Sequence, residues 1–403
     1  MDQQYQPLFN RTYLKILPWI VAIVIVLITA RSQNSTSDFY EVLFDETQQD
    51  SWIYLSIDKA LQQDQLKLVY PLSPAFSEQQ VQQRTALQNA FKQATQSQNN
   101  ITTQWHDDKV IFSILFQTDT MPEDSFLLKT ILNKLTTAAG QYYPQALQHA
   151  VAERYLALNA INALALSNFK AQLLTSSRTV TQENTYDLFS SRPTALLLFK
   201  EENDSLSKII SAQLKAHYPP VAERLTQALP LAAPSHINLK HRGSSYLYLI
   251  GQAIPADNNN VSRSITFHYI NQLLKKIANK NLSHYRLLLQ PSMPVGYAAL
   301  SMTQNSPFRE NVIGNLQTYL LQHLDNDKLE EIRIALAAQY SEQLTHPEKR
   351  AELLAAQLFS TEKFQSADEF RDTLGAISTQ HIQAHIQQLF DPEHTIIVEI
   401  SPP

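Results

Sequence analysis

Cysteine is absent from this chain of 403 residues. Without thiols the chain forms no disulfide and offers no thiolate ligand for zinc. Glycine is scarce: the six glycines are scattered, and none forms the closely spaced pattern of a phosphate-binding loop. The sequence therefore excludes nucleotide enzymes of the P-loop and dinucleotide-binding classes.

Charged residues are also few, at 17% of the chain with a net charge of −5. No basic surplus is available to neutralise phosphates, so the composition excludes nucleic acid as a partner. Apolar residues make up 44%, which is enough to build cores. At about 100–200 residues per domain, the length predicts two or three folded units.

Histidine is missing from the first quarter of the chain, and the first histidine is His106. No histidine begins His-x-x-Glu-His or His-Glu-x-x-His, the helical spacings that bring two imidazoles to one zinc ion. No serine stands in Gly-x-Ser-x-Gly, the turn that exposes a nucleophilic serine. The sequence predicts no catalytic residue, no metal ligand and no cofactor.

Residues 16–30 are uncharged and strongly apolar. Because a bilayer core requires about 20 apolar residues, this run is either a signal anchor extended by Tyr13, Leu14 and Lys15, or a cleaved signal peptide. The poor match to a small-residue cleavage site favours the anchor, and Arg11 and Lys15 favour an N-terminus inside the cell. We predict a single-pass protein of the inner membrane whose folded part is periplasmic.

Downstream, the order of strands and helices runs through the chain twice, with a proline-punctuated connector at 229–234. The expected class is α+β, with two homologous sandwich halves that each have an antiparallel sheet covered by helices, after an N-terminal transmembrane helix. The predicted boundaries are a tail (1–15), the transmembrane anchor (16–30), a tether (31–38) and the two halves (39–230 and 235–403).

Local signals predict several helix ends. The pattern predicts a helix over 126–138 and a separate, long helix over 145–173. Ser205 is expected to cap a helix rather than act as a nucleophile. Residues 345–348 and 366–369 both fit the capping box, in which a hydroxyl and an acidic side chain bond each other's backbone.

Three segments resemble the insulinase or pitrilysin-type zinc peptidases. Residues 329–354 are similar to that family's acidic helix, small polar break and second helix. Residues 377–402 are similar to its closing segment, in which a capped helix leads to Asp-Pro and an apolar strand. Residues 194–200 and the helix after them resemble the end of the family's first half. The resemblance extends over most of residues 40–403.

This resemblance implies two α+β halves that face each other like a clamshell. In active members a helix near the start of one half carries His-x-x-Glu-His, and its two histidines bind zinc together with a more distant glutamate. The corresponding helix is expected between Phe76 and Thr95, and that stretch contains no histidine. The chain is therefore identified as a non-catalytic homologue of the family.

The family's second half carries an arginine and, seven residues later, a tyrosine that help to bind substrate. The resemblance places Tyr297 at the tyrosine position and Gln290 at the arginine position. Glutamine has no fixed charge and no guanidinium fork, so Gln290 is a weaker substrate-binding residue than the arginine it replaces. Arg286 is an alternative to Gln290, and simple packing in the core is the competing interpretation of Tyr297.

Two other histidine clusters have ordinary explanations. His381 and His385 stand four residues apart, but no third ligand is near in sequence, so solvent-facing side chains are expected. His106, Asp107 and Asp108 are expected to form a polar turn.

Three functions remain open. The chain is a non-catalytic subunit that pairs with an active insulinase-family zinc peptidase and helps form its substrate chamber, where a peptide or unfolded protein adds to an exposed strand edge. Alternatively, it is a non-proteolytic scaffold or assembly factor at the membrane. The third alternative is a zinc metallopeptidase with an atypical site.

Overall fold

The computed structural model describes residues 40–44, 52–72, 74–96, 98, 100–116, 128–173, 188–218, 234–255, 260–281, 284–290, 295–308, 311–361 and 364–403. The predicted tail, anchor and tether lie outside these residues. Within the described ranges, no helix has the length and apolar character needed to cross a bilayer.

The first sheet has six strands in the order β1-β2-β6-β3-β5-β4. The strands β2 and β6 are parallel, and the other neighbours are antiparallel. The outer strands are β1 and β4. The six strands are β1 (Tyr40–Phe44), β2 (Ile53–Asp58), β3 (Asp64–Pro71), β4 (Ile101–Trp105), β5 (Lys109–Phe116) and β6 (Thr194–Phe199).

The second sheet has five strands in the order β7-β11-β8-β10-β9. Only β7 and β11 are parallel. When β1 is set aside, the two sheets have the same strand order, with the parallel pair in the same place. The strands are β7 (Ser235–Lys240), β8 (Tyr246–Pro255), β9 (His284–Gln290), β10 (Val295–Gln304) and β11 (Ile396–Ser401).

Ten α-helices occur within the described residues, and together with the two sheets they confirm the predicted α+β class with two similar halves. The helices are α1 (Glu78–Gln96), α2 (Leu128–Ala157), α3 (Ile161–Gln172), α4 (Asp204–His217), α5 (Asn260–Asn281), α6 (Val312–Gln322), α7 (Asn326–Thr345), α8 (Pro347–Thr361), α9 (Ala367–Gly375) and α10 (Thr379–Leu389).

One face of each sheet is covered by helices of the same half. Alternate residues of β3, such as Leu66 and Leu68, pack on α1 through residues such as Phe91. In the second half, Leu300 of β10 packs in a core with Ile270 of α5. Each sheet thus buries one face within its own half.

The other face of each sheet is covered by a helix from the opposite half. Leu354 and Leu358 of α8 pack against Leu196 of the first sheet, and Phe169 of α3 packs against Val398 of the second. Burial of a leucine side chain contributes about 1.5–3 kcal/mol. Separation of the halves would expose both of these cores. The helices α3 and α8, each packed on the sheet of the opposite half, therefore hold the halves together.

The predicted separation of the two helices over 139–144 is wrong, because α2 continues through Pro144 as one helix of 30 residues. A proline inside a helix costs about 3 kcal/mol. Burial of Ala139, Ala146 and Ala150 in the first core, on both sides of the proline, offsets that cost. The chain breaks instead at residues 158–160, between α2 and α3.

The predicted caps are confirmed in one case and wrong in two. Ser366 and Glu369 form the expected capping box at the start of α9. Thr345 is instead the last residue of α7, and its hydroxyl donates to the Glu342 carbonyl at 2.7 Å. The cap of α4 is Asn203 rather than Ser205, since its side chain accepts the amide hydrogen of Leu206 at 3.1 Å.

Candidate functional site

A cleft of about 390 Å³ lies where the first half meets the edge of the second sheet. Its walls are Arg84 and Gln88 of α1, the turn at 105–109 between β4 and β5, and Gln290 at the end of β9. We refer to this space as the cleft. It joins elements of both halves.

The helix α1 begins with a reciprocal cap. The Ser77 hydroxyl accepts the Gln80 amide hydrogen at 3.2 Å, and the Gln80 side chain accepts the Ser77 amide hydrogen at 3.0 Å. Ala90 and Phe91 are buried in the first core. Arg84 and Gln88 stand one helical turn apart and both reach the cleft.

These cleft-facing positions do not fit a zinc site. Arg84 carries a guanidinium that stays protonated and offers no lone pair to a metal, and its Nη1 donates to the Asp107 carbonyl at 3.1 Å. Leu87, next to Gln88, is buried in the core. Across the part of the chain that the structure describes, no cluster of three or more histidine, aspartate or glutamate residues could hold a metal ion.

The residues at 106–108 form a polar turn between two strands. The His106 amide donates to the Lys109 carbonyl at 2.9 Å, and the Asp108 carboxylate accepts from Lys109 Nζ at 3.2 Å. Burial and then the neighbouring Lys109 ammonium lower the pKa of the His106 imidazole. The imidazole therefore favours its neutral form more strongly than an exposed histidine does.

Gln290 and Tyr297 lie directly opposite each other on β9 and β10. Gln290 lines the cleft, whereas Tyr297 is only 4% exposed. Phe169 packs edge-on against the Tyr297 ring with centroids 5.7 Å apart, and Lys170 Nζ lies 5.0 Å from the ring centroid. Because its ring is covered by α3, Tyr297 cannot offer that face to a ligand.

The same burial changes how these side chains titrate. Burial raises the pKa of Tyr297 to about 12, with a further increase from Asp107 and an opposing effect of Arg286. Burial likewise lowers the pKa of the Lys170 ammonium. Arg286 is exposed and lies opposite Ser301 of β10. It stands on β9, four residues before Gln290.

A second polar node joins the first three helices beside the cleft. The Glu78 carboxylate accepts from Arg154 Nε and Nη2, both at 2.7 Å, and from the Ser167 hydroxyl. These residues belong to α1, α2 and α3. These bonds therefore fix the position of α3 relative to α1, the helix that carries Arg84.

The outer strand β4 has backbone groups directed away from its sheet. The His106 amide bonds the Lys109 carbonyl, so by the antiparallel alternation Gln104 and Thr102 bond inward to β5. The N–H and C=O groups of Thr103 and Trp105 then face outward. No described strand pairs with that side of β4.

The two histidines of α10 do not share a ligand site. His381 Nδ1 accepts the Ser378 amide hydrogen at 3.0 Å, and His385 Nε2 lies 2.9 Å from the Ser262 hydroxyl. His381 is exposed as expected, whereas His385 is half-buried against α5. Both imidazoles have separate structural partners.

Sequence reasoning missed Arg84, Gln88 and Lys170. The first two carried a usable signal, since they stand four apart on the helix where the resemblance expects metal ligands. Lys170 carried none, because its neighbour Tyr297 belongs to the other half of the chain.

Comparison with known proteins gives structural matches alone. No protein-family model matches the sequence, and no curated protein matches it. The inactive domain of a peptidase M16 from Pseudomonas fluorescens matches with a TM-score of 0.63 at 10% identity, over 90% of this chain and 98% of that chain. The periplasmic protease PqqL from Escherichia coli matches with a TM-score of 0.64 at 14% identity, over 90% of this chain and 47% of that one.

A third match is a chain of complex III2 from Candida albicans, with a TM-score of 0.58 at 9% identity, over 87% of this chain and 94% of that chain. At such identities the likeness shows the fold. The chain has the two-half α+β fold of the insulinase-like M16 proteins.

Proposed function

We propose that this protein is a membrane-anchored, catalytically inactive insulinase-like subunit that pairs with an active zinc peptidase and helps form its substrate chamber. The observation that carries the proposal is α1, whose cleft-facing positions hold Arg84 and Gln88 in place of a pair of metal-binding imidazoles. Described residues of both halves line the cleft. A cleft of this kind can hold a polypeptide without cutting it.

The outer strand β4 supports a role in holding an extended chain. The outward backbone groups of Thr103 and Trp105 can pair with an added strand, a mode that depends on main-chain bonds and tolerates varied side chains. The added strand would run past the cleft, because Trp105 and Gln290 both line it. The ligand class is thus an extended peptide or an unfolded segment.

The location belongs to the same proposal. The apolar segment at 16–30 would anchor the chain in the inner membrane, with the folded part in the periplasm. The partner peptidase would then work in that compartment.

A scaffold function without proteolysis is the second candidate. The likeness to a chain of complex III2 favours it, since that match covers 87% of this chain and 94% of that chain. An atypical zinc peptidase has less support, because the cleft residues do not fit the metal.

The strand-edge role has a sharp test at Thr103. Thr103→Pro removes an outward N–H, which an edge strand tolerates, and Thr103→Ala is the matched control that keeps it. A labelled unfolded polypeptide is titrated into the full-length chain in detergent, and binding is followed by fluorescence anisotropy. We expect at least about tenfold weaker binding for the proline variant, a loss of about 1.4 kcal/mol, and native binding for the alanine variant.

Equal binding by the proline and alanine variants would exclude β4 as the edge that takes the chain. Thr102→Pro serves as the folding control, because its N–H bonds inward and its loss should destabilise the first sheet. A native circular dichroism spectrum of Thr103→Pro separates lost binding from lost fold.

A further inference from the structure

The side chain of Lys170, on α3, lies beside the cleft where the two halves meet. Its Nζ is 5.0 Å from the centroid of the Tyr297 ring, and Tyr297 stands opposite Gln290, which lines the cleft. Asp107 lines the cleft from the first half, and its carboxylate interacts electrostatically with the Lys170 ammonium. Cleft-lining residues of both halves are therefore close to this ammonium.

The Lys170 ammonium has few groups that stabilise its charge. Among the residues that the structure describes, none forms a hydrogen bond or a salt bridge with it, and its contact with Tyr297 is through the ring. Burial lowers the pKa of this ammonium, Asp107 opposes that shift, and the neighbouring Arg154 guanidinium adds to it. The charged form is thus less stable here than in water, and a carboxylate brought by a ligand would stabilise it.

Two further cations lie in the same region. Arg84 lines the cleft from α1, and its guanidinium stays protonated. Arg286 and Gln290 are four residues apart on β9, so both side chains are on the same face of the second sheet. The Arg286 guanidinium opposes the rise in the pKa of Tyr297, which shows that its charge reaches this part of the cleft. Both halves therefore contribute positive charge.

Negative charge is less available in this region. Asp107, which is exposed, is the acid whose charge acts on Lys170. Three other acids around the cleft act on cations of their own: Asp108 on Lys109, Glu78 on Arg154 and Glu352 on Lys67. Positive charge therefore prevails around Lys170, although the chain as a whole has a net charge of −5.

We propose that the cleft binds a carboxylate of its polypeptide ligand, and that the Lys170 ammonium is the group that receives it. This inference rests on the polypeptide-holding role proposed above. The carboxylate is an acidic side chain or the C-terminal group, since both present the same pair of oxygens. A hydrogen bond between ionised groups is roughly twice as strong as a neutral one, so this contact selects among the extended chains that β4 can pair with.

Three labelled peptides of equal length distinguish the sources of the carboxylate. The first is uncharged and has an amidated C-terminus, the second is the same sequence with a free C-terminus, and the third is amidated and contains glutamates. Each peptide carries an uncharged fluorophore and is titrated into the full-length chain in detergent, with anisotropy as the readout. We expect the second or the third peptide to bind at least about fivefold more tightly than the first, and this preference to vanish in about 1 M salt.

Three substitutions test the role of Lys170 itself. Lys170→Met keeps a long stem that packs on Tyr297 but removes the charge, so it should bind the uncharged peptide normally and lose the preference for a carboxylate. Lys170→Arg should retain that preference. Lys208→Met is the matched control on α4, where the lysine side chain is 79% exposed, and it should also retain the preference. Circular dichroism checks that each variant is folded.

Equal binding of all three peptides by the native chain would overturn the inference while the holding role stands, and this comparison needs no variant. An unchanged preference in folded Lys170→Met would overturn it as well, because another group would then receive the carboxylate. If the native chain binds none of the peptides, the proposed function itself is wrong and the inference falls with it.

Discussion

The guanidinium of Arg350 bonds the carboxylate of Asp58, which lies 292 residues earlier in the chain. The Nε–Oδ2 distance is 2.9 Å, and the two residues are only 7% and 3% exposed. The same guanidinium donates to the Leu344 carbonyl at the end of α7. One side chain thus connects the end of β2 with both α7 and α8, and therefore one half with the other.

Removal of one partner should be more damaging than removal of both. Arg350→Ala leaves the Asp58 carboxylate buried without its counter-charge, and we expect a loss of about 3–5 kcal/mol in the free energy of unfolding. The double variant Asp58→Leu/Arg350→Met should lose less than Arg350→Ala alone. Denaturant unfolding of the full-length chain in detergent, followed by circular dichroism, measures both. A double variant that is less stable than the single one would contradict the ion-pair account.

Tyr297 should make the protein sensitive to alkali. An unfolded tyrosine ionises near pH 10, whereas the buried Tyr297 has a pKa of about 12. Between these values the unfolded chain has lost a proton that the native chain keeps, so stability falls as the pH rises, by about 2–3 kcal/mol in total. Tyr297→Phe should remove much of this loss, and thermal melts from pH 9 to 12 would show it.

The exposed Tyr155 provides the matched control for that experiment. Tyr155→Phe removes the same hydroxyl from a residue that is 74% exposed, so it controls for the substitution itself. If both variants shift the curve equally, burial of Tyr297 is not the cause.

Glu78 should contribute to stability above about pH 4.5. Hydrogen bonds from Arg154 and then from Ser167 hold the pKa of Glu78 below its usual 4.5, although burial opposes them. A carboxylate with a lowered native pKa stabilises the fold above its unfolded pKa, and this is lost as the pH falls through the native pKa. Glu78→Gln should be less stable at pH 7 and lose less stability on acidification. Glu153→Gln, an exposed acid on α2, is the control in the same acid titration.

The positions at 84 and 88 should accept a metal once they carry imidazoles. Arg84→His/Gln88→His places two histidines one turn apart on the face of α1 that lines the cleft. We expect this variant to bind zinc more tightly than Arg84→His alone in calorimetric titration. If the second histidine added nothing, the two side chains would not face the same space.

The sequence could predict the elements with strong apolar patterns. Residues 109–116 alternate little and are mostly apolar, and they form β5, an interior strand of the first sheet. The edge strands β4 and β9 escaped prediction, because each contains three polar residues and is largely only partly buried.

The relationships between the halves lay beyond local patterns. The apolar faces of α3 and α8 predict burial, but they do not reveal that each helix covers the sheet of the opposite half. Gln290 and Tyr297 came from the resemblance, and the antiparallel register of β9 and β10 makes them direct neighbours. Whether they bind substrate remains a prediction.

Zinc content and peptide cleavage, measured on the same full-length preparation, test the central claim most directly. The chain is equilibrated with zinc, desalted and analysed by mass spectrometry for metal. It is then assayed on an unfolded protein, with and without an active insulinase-type peptidase that carries His-x-x-Glu-His. The account predicts far less than one zinc per chain, no cleavage by this chain alone, and faster cleavage by the pair than by the peptidase alone. One tightly held zinc per chain, with cleavage that a chelator abolishes, would contradict it.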